Sequence, residues 1–158
     1  NGDCTMSKIN VNTIADASGT SALTIDTNGV ISPSNPVYGY AEYQGTNITS
    51  SSIIPLNHNI FTSGGVTVDS NQFVIPVTGI YLITGHHLGG TTGNDGFSID
   101  VNNNEICRAY QKLSTANSET SLTIIRLLSA TDTVRFYCWG GEIHGNSDYN
   151  HMSVSKLG

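Results

Sequence analysis

The stretch from Gln72 to His87 reads Gln-Phe-Val-Ile-Pro, Val-Thr-Gly, Ile-Tyr-Leu-Ile-Thr-Gly-His-His, and it restricts the fold more than any other. Phe73, Val74 and Ile75 are strand formers. Pro76 and Gly79 bracket a turn, since proline ends pairing and glycine permits unusual backbone angles. In the strand that follows, Ile80 and Leu82 point one way and Tyr81 and Ile83 the other. A strand with one face in water should alternate with polar residues. This one is apolar on both faces and needs cover on both. One cover is the second sheet of a sandwich. The other is expected to be another copy of the chain.

The rest of the chain agrees with an all-β antiparallel fold. Its 158 residues suffice for one domain with a small appendage. Only 11% of residues are charged, and Ser, Thr, Asn and Gly are abundant, which suits short strands and turns. Strands are expected at Val37–Tyr43, Ile53–Leu56, Val66–Pro76 with a break at Asp69–Asn71, Ile80–Leu88, Phe97–Val101, Glu105–Gln111, Ser121–Leu128, Thr133–Trp139 and His151–Leu157. Ser121–Leu128 comes nearest to a helical period, but its β-branched Thr123, Ile124 and Ile125 favour strand. Ahead of these, residues 1–36 form a separate segment ending at the break Ser32-Pro-Ser-Asn-Pro36. Its short apolar alternations, Ile9 and Val11, then Leu23 and Ile25, then Val30 after the Asn28-Gly29 turn, are too sparse for a core and must pack on something else. Met6-Ser7-Lys8 reads as a natural start.

Connection lengths give the second domain, residues 37–158, a polarity. Val77–Thr78, Asn102–Asn104 and Ser129–Asp132 are short. Gly89–Gly96, Lys112–Thr120 and Gly140–Asn150 are long. The short turns form a base beside the N-terminal segment, and the long loops form a tip suited to recognition. A second doubly apolar strand, Leu122–Leu128, puts Ile125 and Leu127 opposite its core face. In Val134–Trp139, Tyr137 and Trp139 alternate with Val134, Phe136 and Cys138. The expected seam between copies is therefore Ile80, Leu82, Ile125, Leu127, Tyr137 and Trp139.

Charge and motifs exclude several functions. A net charge of −6 with scattered basic residues argues against nucleic acid and anionic membranes. No stretch is long and apolar enough to span a bilayer or act as a signal peptide. No G-x-S-x-G, P-loop, H-E-x-x-H or dinucleotide fingerprint is present, and no convergent titratable set suggests catalysis. His86 and His87 are adjacent in a strand, point to opposite faces and cannot chelate one ion together. Glu142, His144, Asp148 and Asp95 on tip loops could bind calcium in three copies around an axis, but a solvated polar loop is the preferred reading, and no cofactor is expected. The three cysteines, Cys4, Cys107 and Cys138, form no disulfide framework, and Cys107 and Cys138 are expected to be small buried apolar residues rather than a bridge. Asp95, His144, Asn146, Asp148 and Tyr149 are the candidates for recognition at the tip, with a host-surface glycan as a conceivable ligand. Trp139 is better read as seam than as a sugar platform.

Several motifs carry a resemblance. Phe73-x-x-Pro76-x-x-Gly79-Ile80-Tyr81-x-Ile83 resembles the corresponding segment of C1q-like globular domains. Asp100-Val-Asn-Asn-Asn104 resembles that family's Asn-containing turn. Leu122–Leu127 with Ala130-Thr-Asp132-Thr-Val134 resembles its Leu-x-Leu, Gly-Asp-x-Val stretch, with Thr131 in place of the usual glycine. Met152–Gly158 resembles the closing strand of bacterial and viral members. The resemblance covers about Val37 to Gly158 and implies a C1q/TNF-like jelly-roll sandwich assembled as a homotrimer. The stretch Met6–Gly29 resembles the N-terminus of tailed-phage virion proteins, notably cyanophage fibre and head-decoration proteins. It implies that Ile9, Val11, Leu23, Ile25 and Val30 dock onto other virion proteins, in a particle assembled in the host cytoplasm. The expected function is therefore a non-enzymatic head-decoration or head-fibre protein. A receptor-binding tail fibre and a secreted C1q-type recognition module are the alternatives. The absence of a collagen-like Gly-x-y run and of a leader weighs against the secreted form.

Overall fold

A computed structural model describes residues 11–15, 17–19, 21–33, 35–49, 51–113 and 116–157. The chain divides into two compact units, Asn1–Pro36 and Val37–Gly158. In the first, β1 (Thr13–Ala15), β2 (Ser21–Ile25) and β3 (Ile31–Pro33) form an antiparallel meander with β2 in the centre. The Asp26 carboxylate accepts from the backbone N–H of Asn28 and Val30, both at 2.8 Å, and so closes the turn around Asn28-Gly29.

In the second unit the strands are β4 (Tyr38–Glu42), β5 (Ile48–Thr49), β6 (Ser52–Ile53), β7 (His58–Ser63), β8 (Thr67–Asp69), β9 (Gln72–Val74), β10 (Gly79–Gly89) and β11 (Gly93–Val101). They continue with β12 (Asn104–Leu113), β13 (Ser118–Leu128), β14 (Thr133–Gly140), β15 (Glu142–Ile143) and β16 (His151–Lys156). The front sheet runs β13-β10-β16-β4-β7, with β15 and β5 continuing beyond the tip end of β10. The back sheet runs β12-β11-β14-β9-β8, with β6 on β14. All these pairings are antiparallel, and the chain passes repeatedly between the sheets. The architecture is the expected all-β jelly-roll sandwich.

The core follows from alternation. Tyr81 and Ile83 of β10, Leu128 of β13, and Met152 and Val154 of β16 face Phe97 and Ile99 of β11, Val134, Phe136 and Cys138 of β14, and Phe73 of β9. Gly85 continues the inward row of β10 where the rings of Phe97 and Phe136 meet. A Cβ there would stand 2.8 Å from each ring, so only glycine fits between them. Both two-residue hairpins, Ser70-Asn71 and Asn102-Asn103, have positive φ at both positions, as a type I′ turn requires.

Three details differ from the sequence reading. His58–Ser63 is a strand that the reading left out. At the tip, β10, β11, β12 and β13 run on through residues expected to be loop, so only 90–92 separate β10 from β11. The one long tip connection among the described residues lies between β14 and β16, around a 3-10 turn at Ser147–Tyr149. Cys107 and Cys138 are unbonded: Cys138 is buried, as expected, but Cys107 is only half-buried.

Candidate functional site: the open face of the front sheet

The front sheet has an inner face on the core and an outer face that, among the described residues of this unit, carries several large apolar side chains open to solvent. On β10 the outward residues are Ile80, Leu82, Thr84 and His86, and on β13 they include Ser121, Thr123, Ile125 and Leu127. Ile80 pairs with Leu127 and Leu82 with Ile125, so the four side chains form one block at the base end. Ile80 is 49% exposed, Ile125 61% and Leu127 67%, high values for residues of this size inside a regular sheet. Across the sheet, Tyr38 and Tyr40 of β4 and Phe61 of β7 extend the face, with the Tyr40 and Phe61 rings 6.0 Å apart. The double apolarity of β10 thus ends halfway up.

Toward the tip the same face becomes polar and titratable. Thr84 and Ser153 share a hydrogen bond of 2.7 Å. The next row pairs His58 with Glu42, Glu42 with His151, His151 with His86, and His86 with Ser121 across five strands. The Glu42 carboxylate accepts from the Tyr40 hydroxyl at 2.7 Å and the Asn59 amide at 2.8 Å, and lies 3.1 Å from His58 Nδ1. Burial alone would raise the Glu42 pKa, but the bonds from Tyr40, His58 and Asn59 outweigh it and hold the carboxyl below its usual range. Burial, with Glu42 beside it, pushes the Tyr40 hydroxyl up to about 12. Burial lowers the His86 pKa; Glu119 pulls it up, and His151 and His87 push it down.

The other predicted seam residues, Tyr137 and Trp139, lie on the outer face of the opposite sheet and do not join the four on the front. They are covered within the chain. Trp139 stacks on Tyr110 at 5.1 Å and 8°, and the Arg108 guanidinium sits 3.8 Å from the indole centroid. The stack lies over Gly96, where a Cβ would come within 3.2 Å of both rings. Arg135 approaches the Tyr137 ring at 5.6 Å and binds the Asp100 carboxylate at 2.9 Å. These rings close over Ser98 and Asp100, which are buried although they point outward.

At the tip, His144, Asn146, Asp148 and Tyr149 come together on the β15–β16 connection. Asn150, 1% exposed, donates to the carbonyls of His144 and Asn146 at 2.6 and 2.7 Å and staples the loop. The Asn146 side chain accepts from Asp148 N, and Tyr149 meets His144 edge-on at 5.6 Å. Asp148 and Tyr149 face outward. Asp95, the fifth tip candidate, is not on the surface. It is 1% exposed between the sheets, its carboxylate 2.9 Å from His87 Nε2 and accepting from the Thr120 hydroxyl at 3.1 Å. The physical reason is register: Gly93–Val101 is strand throughout, and Asp95 shares the inward phase of Phe97 and Ile99. Glu142 is held by Asn47 at 2.8 Å. Among the described residues, no three His, Cys, Asp or Glu side chains of one chain are placed to hold a metal ion.

Of the predicted docking residues, Val11 and Val30 are exposed, Leu23 and Ile25 are half-buried on β2, and Ile9 lies outside the described residues. The sequence reading overlooked Tyr38, Tyr40 and Phe61. The signal for the first two was there: they alternate with the small, inward Gly39 and Ala41.

No protein-family model matches the chain, and no curated protein matches it in sequence. Solved structures do. An Eiger TNF from S. frugiperda superposes with a TM-score of 0.64 over 78% of this chain and 94% of that one, at 10% sequence identity. The fold is a TNF/C1q-like jelly roll. At that identity the likeness concerns the fold, and function must be argued from the face itself.

Proposed function

We propose that the chain is a non-enzymatic, trimeric jelly-roll module that associates with its own copies through the base half of the front sheet and presents the His144–Tyr149 loop outward. The observation that carries this is the block of Ile80, Leu82, Ile125 and Leu127, contiguous on one face, with all but the half-buried Leu82 exposed in the single chain. Trimeric assembly in TNF-like folds supports self-association over capture of an unrelated partner. Sedimentation of the purified chain tests it. A species near three times 16.8 kDa at micromolar concentration is expected, and a persistent single chain removes the proposal.

For the biological setting we favour a virion decoration or head-fibre role, with residues 1–36 as the attachment segment. The resemblance of Met6–Gly29 to phage virion proteins supports it, as do Ile14 and Ile31, exposed on so small a sheet, and the exposed Val11 and Val30 beside its strands. The second reading, a secreted recognition module, draws on the likeness to a TNF. The gene's surroundings discriminate: neighbouring capsid and tail genes support the first, and a precursor with a leader peptide the second.

A further inference from the structure

Near the tip end of the open face, His86 of β10 and His151 of β16 stand directly opposite each other on neighbouring strands. Their ring centroids are 5.9 Å apart and their planes meet at 56°. The adjacent pair on the same face, Thr84 and Ser153, is hydrogen-bonded and fixes the local register. Each imidazole is anchored through one nitrogen. His151 Nε2 lies 3.1 Å from the carbonyl oxygen of Asp148. A carbonyl only accepts, so Nε2 carries the hydrogen and Nδ1 keeps its lone pair. His86 Nδ1 lies 3.0 Å from the Ser121 hydroxyl, which leaves Nε2 as the ligating nitrogen. Metal-binding histidines have this arrangement: one nitrogen for the ion, the other held by a carbonyl or hydroxyl that sets the ring. With metal–nitrogen bonds of about 2.0–2.1 Å, two imidazoles on one tetrahedral ion place their centroids about 5–6 Å apart.

We propose that His86 and His151 form a cross-strand clip for a borderline transition-metal ion such as Zn2+ or Ni2+, with water completing its coordination. Imidazole pairs select such ions over calcium or magnesium, which demand oxygen ligands. Among the described residues no third His, Cys, Asp or Glu completes a metal set with the pair; Glu42 stands beside His151, but its carboxylate is taken by Tyr40, His58 and Asn59. An exchangeable ion is therefore expected, not a structural one. Burial keeps His86 more readily neutral than an ordinary histidine, and the neutral form is the one that ligates. The clip is complete within one chain and does not depend on self-association.

The test is calorimetric titration of the whole chain with NiCl2 and with ZnCl2 at pH 7.5. One ion per chain with micromolar affinity is expected. His86→Gln and His151→Gln should each weaken it about tenfold or more, since either leaves a single ligand. His58→Gln and His144→Gln, outside the pair, should leave it unchanged. Lowering the pH to 5.5 should weaken binding, because protons compete with the metal for imidazole nitrogens. The Leu127→Asp chain, altered only at the base of the face, should bind as tightly as the wild type. Both clip positions are outward-facing, so circular dichroism should show the variants folded. Absence of saturable binding, or binding retained in the His86→Gln/His151→Gln double variant, would overturn the assignment.

Discussion

Replacing Leu127 with aspartate should dissolve the proposed trimer without unfolding the chain. Leu127 is 67% exposed in the single chain, and its strand neighbour Ile80 is 49% exposed. With a full residue area of roughly 180 Å2, the side chain leaves about 120 Å2 for a neighbour to cover, worth about 3 kcal/mol per copy at ~25 cal/mol per Å2. Three copies lose about 9 kcal/mol from the trimer, before any cost of burying carboxylates. The concentration at which a trimer is half dissociated scales as the square root of its dissociation constant, so the midpoint rises roughly a thousandfold. Sedimentation velocity across a dilution series reads this directly. Urea unfolding of the dissociated chain should differ from that of monomeric wild-type chain by no more than about 0.5 kcal/mol, because the residue is open to water there. Tyr137→Ala, on the opposite sheet, should leave the midpoint unchanged. Wild-type and Leu127→Asp chains sedimenting as the same trimer would refute the reasoning, because the seam would then lie elsewhere.

Asp95→Ala should cost about 2–4 kcal/mol in urea unfolding, because it strands His87 in the interior, whereas Asp148→Ala on the exposed loop should cost under about 0.5. Thr131 sits at φ 74°, where a β-branched residue is strained, so Thr131→Gly should stabilise the fold by about 0.5–1 kcal/mol; a loss of stability would contradict the strain. Burial pushes the Cys138 thiol up to about 11, with Asp95 adding to the effect. A raised pKa keeps the thiol protonated well above pH 8, so iodoacetamide at pH 8 should spare Cys138 in the folded chain and label the half-buried Cys107; modified Cys138 in native protein would contradict its placement.

The sandwich was legible because its central strands carry strong period-two patterns. Tyr81 and Ile83 against Ile80 and Leu82, and Phe136 against Arg135 and Tyr137, leave no helical alternative. Thr131 illustrates a local signal with a clear cause: the backbone there is left-handed, a conformation that favours glycine, yet the sequence places threonine at it. β7 was not legible. Its outer residues are exposed, Asn59 has positive φ, and only pairing with β4 makes it a strand. The grouping of Tyr137 and Trp139 with the front-sheet residues failed for a related reason. Alternation tells which residues point away from the core, but not which of the two outer faces they occupy, nor that Arg108, Arg135 and Tyr110 cover them.

The polar interior near the tip shows where pattern reading stopped too early. Gly93-Asn-Asp-Gly96 has turn composition, and His86-His87 and Ser118–Thr120 are polar, so local propensity ends all three strands there. The inward phase nevertheless continues through each of them. Ile99 and Phe97 extend backward to Asp95, Tyr81 and Ile83 extend through Gly85 to His87, and Ile124 and Leu122 extend back to Thr120. Those three polar residues are the ones that meet in the interior, joined by bonds of 2.9 and 3.1 Å. A buried polar group requires a partner, so a polar residue in the inward phase of one strand is best sought opposite a complementary one in the inward phase of a facing strand. By the same logic the outward phase of β10 runs from Ile80 and Leu82 to Thr84 and His86, changing from a surface fit for a sister chain to one fit for a proton or a metal ion. One alternation with two chemistries along its length underlies both the proposed seam at the base and the proposed clip near the tip.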